Sequence, residues 1–161
     1  MQIEYLADHT NAIPTIAQWA YEEWAYLHPE RTYTDVERLI AEGSNKEGIP
    51  ISLVATVKGK VIGWAVLKAS DFKARPNLGP WLGGLFVEKQ YRRKGVGTRL
   101  VREIEGLSAR LGVGRLFLVT DDVEDFYSGL GWSVRERVES KGISVVVMET
   151  EIAECGGRSS L

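Results

Sequence analysis

Cysteine is nearly absent from this sequence. One residue, Cys155, stands among 161. That excludes an internal disulfide framework and fits a reducing cytoplasm, the compartment expected here. No basic neighbour is arranged to activate Cys155, so it reads as an incidental thiol. Histidine is almost as scarce. His9 and His28 lie far apart without metal-ligand spacing, and no metal is expected. Neither sign of charge dominates, with 20 Lys and Arg against 22 Asp and Glu and a net charge of −2. No excess of base invites nucleic acid as a partner. No apolar run approaches the ~20 residues of a membrane span, and no membrane partner is expected. Met1-Gln2-Ile3-Glu4-Tyr5 lacks the basic and apolar regions of a signal peptide. Repeats and low-complexity stretches are missing too. What remains is ordinary: 44% apolar and 26% charged residues, a composition that folds, at a length that supports one core.

The stretch that stands out is Tyr91-Arg92-Arg93-Lys94-Gly95-Val96-Gly97-Thr98. A strand-like run, Leu82 to Val87, precedes it. Val96, Leu100, Val101, Ile104, Leu107 and Leu111 follow at helical spacing. The stretch is therefore a basic, glycine-bearing turn between a strand and a helix N-terminus. The first amides of a helix lack partners within it, and the peptide dipoles turn their positive end the same way. Glycine lets an anion approach that backbone closely, and a phosphate fits such a site. Two familiar phosphate loops fail to match. A dinucleotide fingerprint would need a third glycine where Leu100 stands, and Gly97-Thr98-Arg99 is not the Gly-Lys-Ser/Thr of a Walker loop.

In chain order, Ile3 to Leu6 reads as a short strand. A helix starts between Thr10 and Pro14, carries an apolar stripe through Ile13, Ile16, Ala17, Ala20, Trp24 and Leu27, and ends at Pro29. Its second stripe, Trp19, Glu23 and Tyr26, reads either as an aromatic and acidic wall for an amine or as half-buried rings. Thr34-Asp35-Val36-Glu37 has the form of a capping box, and Gly43 stops that second helix. Strands follow at Ile51 to Val57 and Val61 to Ala69, joined by Lys58-Gly59-Lys60. A long loop, Ser70 to Pro80, carries Asp71. The strand Trp81 to Val87 and the helix Val96 to Leu111 flank the basic turn, and Gly112 and Gly114 break that helix. Leu116 to Val119 is a continuous apolar run of the kind found in buried parallel strands. A short helix, Val123 to Leu130, ends at Gly131. Trp132 to Val138 and Ile143 to Glu151 form a last hairpin around Lys141-Gly142. The expected fold is α/β of the α+β kind: a mixed, mostly antiparallel seven-stranded sheet with helices on both faces. One parallel crossover joins strands four and five. Residues 1–152 read as one domain and 153–161 as a frayed tail.

Arg92-Arg93-Lys94-Gly95-Val96-Gly97 has the form Arg-x-x-Gly-x-Gly. With the strand before it, this resembles the pyrophosphate loop of the GNAT superfamily of N-acetyltransferases. Phe126-Tyr127-Ser128-Gly129-Leu130-Gly131-Trp132 resembles the aromatic-Tyr-x-x-Leu-Gly-aromatic signature at the sixth strand of that fold. Val147-Met148-Glu149 resembles the end of its last strand. The resemblance covers Ile3 to about Ile152.

It implies acetyl-CoA as cosubstrate, a primary amine as acceptor, and direct attack in a ternary complex. Main-chain amides from Arg93 to Thr98 would hold the pyrophosphate, with Arg92, Arg93 and Lys94 adding charge beside Gly95, Val96, Gly97 and Thr98. Leu85, Phe86 and Val87 would offer main-chain groups to the pantetheine arm and an amide to the thioester oxygen. Tyr127 stands where many members place the acid that protonates the leaving thiolate. Many members carry Asn after the fifth strand, where this sequence has Thr120, Asp121 and Asp122. The fourth strand offers Gly83 and Gly84 where some members have a basic Glu. The base is then Glu23, His28, Asp71 or a held water. Gly83 and Gly84 either leave room for the acceptor or permit a bulge. The acceptor is a small molecule such as an aminoglycoside or polyamine, or a protein amine. A homodimer is compatible with the chain. The alternative from another class is a non-catalytic acyl-CoA-binding module.

Overall fold

A computed structural model describes residues 1–154. The expected tail from 155 onward, with Cys155, lies outside the described residues. Seven strands form one sheet: β1 Gln2–Tyr5, β2 Ile51–Val57, β3 Lys60–Lys68, β4 Trp81–Val87, β5 Arg115–Thr120, β6 Ser133–Ser140 and β7 Ile143–Glu151. Their spatial order is β1-β2-β3-β4-β5-β7-β6, and the β4–β5 pair alone is parallel. The helices are α1 Ile13–Trp24, α2 Tyr33–Ala41, α3 Val96–Arg110 and α4 Glu124–Gly129. The mixed, mostly antiparallel sheet with its crossover through α3 is the expected one.

Successive side chains along a strand point to opposite faces of the sheet. On β2, Ile51, Leu53 and Ala55 face α3, where they meet Leu100, Ile104 and Leu107. Val54, on the other face of β2, packs with Ile16, Ala17 and Ala20 of α1 and Ile40 of α2. Both faces of the sheet centre are thus covered, which is why β2 and β3 read as apolar runs rather than alternations. A third cluster, around Phe72, Trp81, Phe117 and Val147, lies under the long loop before β4.

Several local expectations are corrected. The capping box belongs to Thr32, not Thr34. Thr32 Oγ1 accepts from the Asp35 amide at 3.1 Å, and Asp35 Oδ2 accepts from the Thr32 amide at 2.9 Å. Glu37 instead accepts from the Tyr33 hydroxyl at 3.1 Å. The first helix ends at Trp24, and Ala25–Leu27 tightens into a 3₁₀ turn. Lys60 belongs to β3, so Lys58 and Gly59 alone turn the first hairpin; both have positive φ, as a two-residue turn of this kind requires.

Two features of β4 position the site. Its parallel register with β5 is confined to Trp81 opposite Phe117, and the two strands are unpaired beyond that point. On the other side, Trp64 pairs with Phe86 while Val66 pairs with Gly83. Gly84 and Leu85 therefore both oppose Ala65, which is a β-bulge. Main-chain groups at the middle of β4 are left without a strand partner on either side.

Candidate active site

The loop after β4 is shaped for an anion. Arg93 has φ +63° and Gly95 has φ +85°. Alternation into the left-handed region turns successive amides toward one side. Gly95 is the N-cap of α3, and no side chain caps that helix. Its first amides are thus left for a ligand. A Cβ at Gly95 would touch nothing within 4 Å, and one at Gly97 would meet Phe126 Cζ at 3.5 Å and Val87 Cγ2 at 3.8 Å. The cradle is therefore open above Gly95 and lined by Phe126 and Val87 at Gly97. A diphosphate fits this chemistry.

Arg92 acts differently from its neighbours. Its Nε donates to the Val87 carbonyl at 2.7 Å, and its guanidinium lies 5.1 Å from the Phe86 ring centre. It ties the loop back to β4. Arg93 and Lys94 are exposed, and Lys94 Nζ lies 6.0 Å from the Tyr91 ring centre.

A cavity of about 340 Å³ opens beside the bulge. It collects Glu23, His28, Asp71, Gly83, Gly84, Leu85 and Tyr127 from separate parts of the chain. Tyr127 comes from α4 and is 6% exposed, packed at 5.0 Å from Phe126 and 6.0 Å from Trp132 between ring centres. Among the described residues its hydroxyl has no hydrogen-bond partner. Burial, and after it the charges of Asp122 and Asp71, push the phenol well above its ordinary value. It stays protonated at neutral pH.

The three carboxylate and imidazole candidates differ. Asp71 is held by Lys68 at 2.7 Å. Glu23 is exposed at the rim. His28 presents a buried Nδ1 without a hydrogen-bond partner, 3.8 Å from Glu30. Burial, with the Arg31 charge second, lowers its pKa, so the ring is neutral at neutral pH.

Gly83 and Gly84 do not leave open room. A side chain at Gly84 would collide with the Trp64 ring, and Gly84 has φ +61°. A Cβ at Gly83 would lie 3.3 Å from Asp71 Oδ2 and 3.3 Å from Lys68 Cε. Gly84 forms the bulge with Leu85, Gly83 stays paired with Val66, and neighbours already crowd the space beside both glycines.

Residues outside the candidate catalytic set, noted in the sequence without an assigned contact, also meet at this edge of the cavity, where Asp121 and Asp122 line it. Tyr26 donates from its hydroxyl to Asp121 Oδ2 at 2.6 Å. Asp122 lies next to it, its pKa raised by burial and by Asp121. The available signal was their position just past the carboxyl end of β5, where crevices form in open sheets. Across the cavity, Lys141 Nζ meets Glu30 at 3.4 Å. The segment 25–31 is thus fastened to the β5 loop and to the β6–β7 turn.

The class this architecture defines is that of acetyltransferase-like α/β proteins. The chain aligns with an aminoglycoside 6'-acetyltransferase type Ii at 23% identity, covering 96% of this chain and 99% of that one, with a TM-score of 0.73. An aminoglycoside 6'-N-acetyltransferase complexed with coenzyme A is 20% identical over 96% and 99%, TM-score 0.69. A "putative streptothricin acetyltransferase" from Bacillus anthracis in complex with acetyl coenzyme A is 21% identical over 69% and 66%, TM-score 0.58. No curated protein matches the sequence. The model of the acetyltransferase (GNAT) family matches residues 13–132, and the chain belongs to that family. It is an acetyltransferase that uses acetyl-CoA. Among the described residues no group of three or more His, Cys, Asp or Glu side chains is placed to hold a metal ion, and no helix is long and apolar enough to cross a membrane.

Proposed function

We propose that this enzyme transfers an acetyl group from acetyl-CoA to a primary amine of a small molecule, by direct attack within a ternary complex. The observation that carries the reading is the meeting of the unpaired middle of β4 with a cleft that Tyr127 lines. The cavity volume suits a small ligand. The fastening of segment 25–31 across it favours a small acceptor over a protein chain. The aminoglycoside acetyltransferases among the similar structures suit that size class.

Amides from Arg93 to Thr98 bind the pyrophosphate, and β4 main chain at Leu85, Phe86 and Val87 pairs with the pantetheine arm. An amide of that strand faces the thioester oxygen and stabilises the charge that builds there. The acceptor arrives as an ammonium, with a reference value of ~10.4, and must lose a proton before attack. His28 is the neutral group suited to take it, directly or through a water. The amine nitrogen then bonds to the carbonyl carbon, the carbon–sulfur bond breaks, and thiolate leaves. Tyr127 donates a hydrogen bond to that sulfur. Since the buried phenol holds its proton more tightly than a thiol of ~8.5, its contribution is charge stabilisation, and the thiol completes its protonation as it departs. The products are the amide, free thiol and one released proton.

The test is incubation with acetyl-CoA and a panel of small amines, polyamines, aminoglycosides and peptides, read as free thiol. Release with small amines alone is expected. Release only with peptides overturns the small-molecule assignment. Tight acetyl-CoA binding without release to any amine would favour the non-catalytic binding module.

A further inference from the structure

The bulge in β4 is braced from beneath by one side chain. We infer that Trp64, fixed by Ser52, is a positioning residue for the acetyl donor. Its indole sets the bulge at Gly84 and Leu85, and so aims the unpaired main chain of β4 at the thioester. This rests on the transfer reaction proposed above.

The bracing runs through four elements. Gly43, just past α2, sits over Ser52 of β2, and a Cβ there would lie 2.5 Å from Ser52 Oγ. Ser52 is 1% exposed. Its Oγ accepts from Trp64 Nε1 at 2.9 Å. The indole has one polar atom and, in this buried setting, one acceptor, so the bond fixes how the ring lies. The far edge of that ring, Cη2, Cζ3 and Cζ2, occupies the volume a side chain at Gly84 would need. On its outer side Trp64 meets Trp24 of α1 at 6.4 Å between ring centres. A ring held on one edge by a hydrogen bond and behind by a second indole cannot withdraw into a close-packed interior.

The consequence reaches the donor through strand parity. Without the extra residue, everything beyond Gly84 would exchange faces. Phe86 would leave its stack with Trp19, now at 5.1 Å. Leu85 and Val87 would leave the α3 side, where they pack now. The main-chain groups that Ala65 leaves unpaired would re-enter the sheet ladder and cease to be available to a ligand.

The experiment compares wild type, Trp64→Phe and Ser52→Ala. Phenylalanine is shorter and has no donor; alanine at 52 removes only the acceptor and serves if the larger change fails to fold. Three quantities are measured: affinity for CoA, affinity for acetyl-CoA, and kcat with the best amine. Both substitutions loosen the brace and are expected to shift the bulge at Gly84 and Leu85 without erasing it, so both variants should bind CoA within about threefold of wild type. Both should lose any preference for acetyl-CoA over CoA, and kcat should fall about tenfold or more, as for a displaced oxyanion donor. Backbone amide resonances of Gly84 and Leu85 should shift in both. Wild-type kcat and donor preference in both variants overturn the inference. So does a fall in kcat matched by an equal fall in CoA affinity, which marks a merely structural core residue. If wild type itself transfers acetyl to no amine, the transfer reaction fails separately. The amides then decide: unchanged Gly84 and Leu85 resonances overturn the bracing role, and shifted ones support it.

Discussion

The Tyr26 hydroxyl donates to Asp121 across 95 positions of sequence, at 2.6 Å. The bond joins the turn after α1 to the loop after β5, and residues of both segments, Ala25, Leu27 and Asp121 among them, line the cavity. Asp121 holds the phenol proton in place and pushes the Tyr26 pKa up to about 12. Tyr26→Phe keeps the ring and releases the fastening. Tyr26 is 55% exposed, so stability should change little. The expected result is a rise in acceptor KM of about three- to tenfold, the scale of one partly screened bond to a charged group, with kcat for saturating acceptor near wild type. Steady-state kinetics in acceptor at fixed acetyl-CoA measure this, and an unchanged KM removes the fastening from acceptor binding.

Gly97 tests the phosphate loop. An alanine there meets Phe126 only at ordinary contact distance. Glutamate would carry its carboxylate out toward the space the phosphates require. Gly97→Glu should therefore fold, with a melting temperature close to wild type, while acetyl-CoA affinity falls beyond calorimetric detection. Arg93→Ala or Lys94→Ala should do far less, since exposed charges contribute ~1 kcal/mol or less. Wild-type affinity in Gly97→Glu would sink the loop assignment.

Tyr127→Phe deletes one oxygen inside a packed ring cluster. The phenylalanine ring keeps its contacts with Phe126 and Trp132. Full proton transfer by a general acid contributes roughly 10²–10⁴-fold; Tyr127 keeps its proton and donates only a hydrogen bond to a thiolate that leaves readily, so its effect should sit at or below the low end. The expected outcome is a kcat at least about tenfold lower, with acetyl-CoA affinity and melting temperature unchanged. Equal kcat, measured where chemistry limits turnover, would exclude Tyr127 from the reaction.

His28 links pH to both stability and activity. Burial lowers its folded-state pKa below the unfolded reference of ~6.5. Above that reference both states are neutral and His28 adds no pH dependence. As pH falls below it, the unfolded chain binds the proton first, and stability declines until the folded value is passed. His28→Asn should flatten the stability profile below about pH 6.5. If His28 takes the acceptor's proton, the same change should also remove an acidic limb from kcat/KM lying below ~6.5, leaving the limb set by the amine. Unchanged profiles in both measurements would leave a held water as the proton acceptor.

The sequence alone determined most of the elements and the basic, glycine-bearing turn before α3, because both are written in local patterns. Helical spacing after Val96, glycines at 95 and 97, and the apolar run Leu116 to Val119 each act within a few residues. Their order limited the sheet to one parallel crossover. The short helix that carries Tyr127 was legible for the same reason, since Phe126 to Trp132 form a short contiguous signature, while its place at the cavity came from the fold. The capping box shows the limit of such reading: Thr32 and Thr34 offer similar chemistry, and only the backbone entering the helix selects Thr32. Gly83 and Gly84 could mean space or a bulge until the register of β3 placed Trp64 against Gly84. Tyr26 and Asp121, Glu30 and Lys141, Ser52 and Trp64 are pairings between distant segments that no local period encodes. Only the tertiary structure decided them, because each depends on which side chains the folded sheet and its helices bring within a few ångströms.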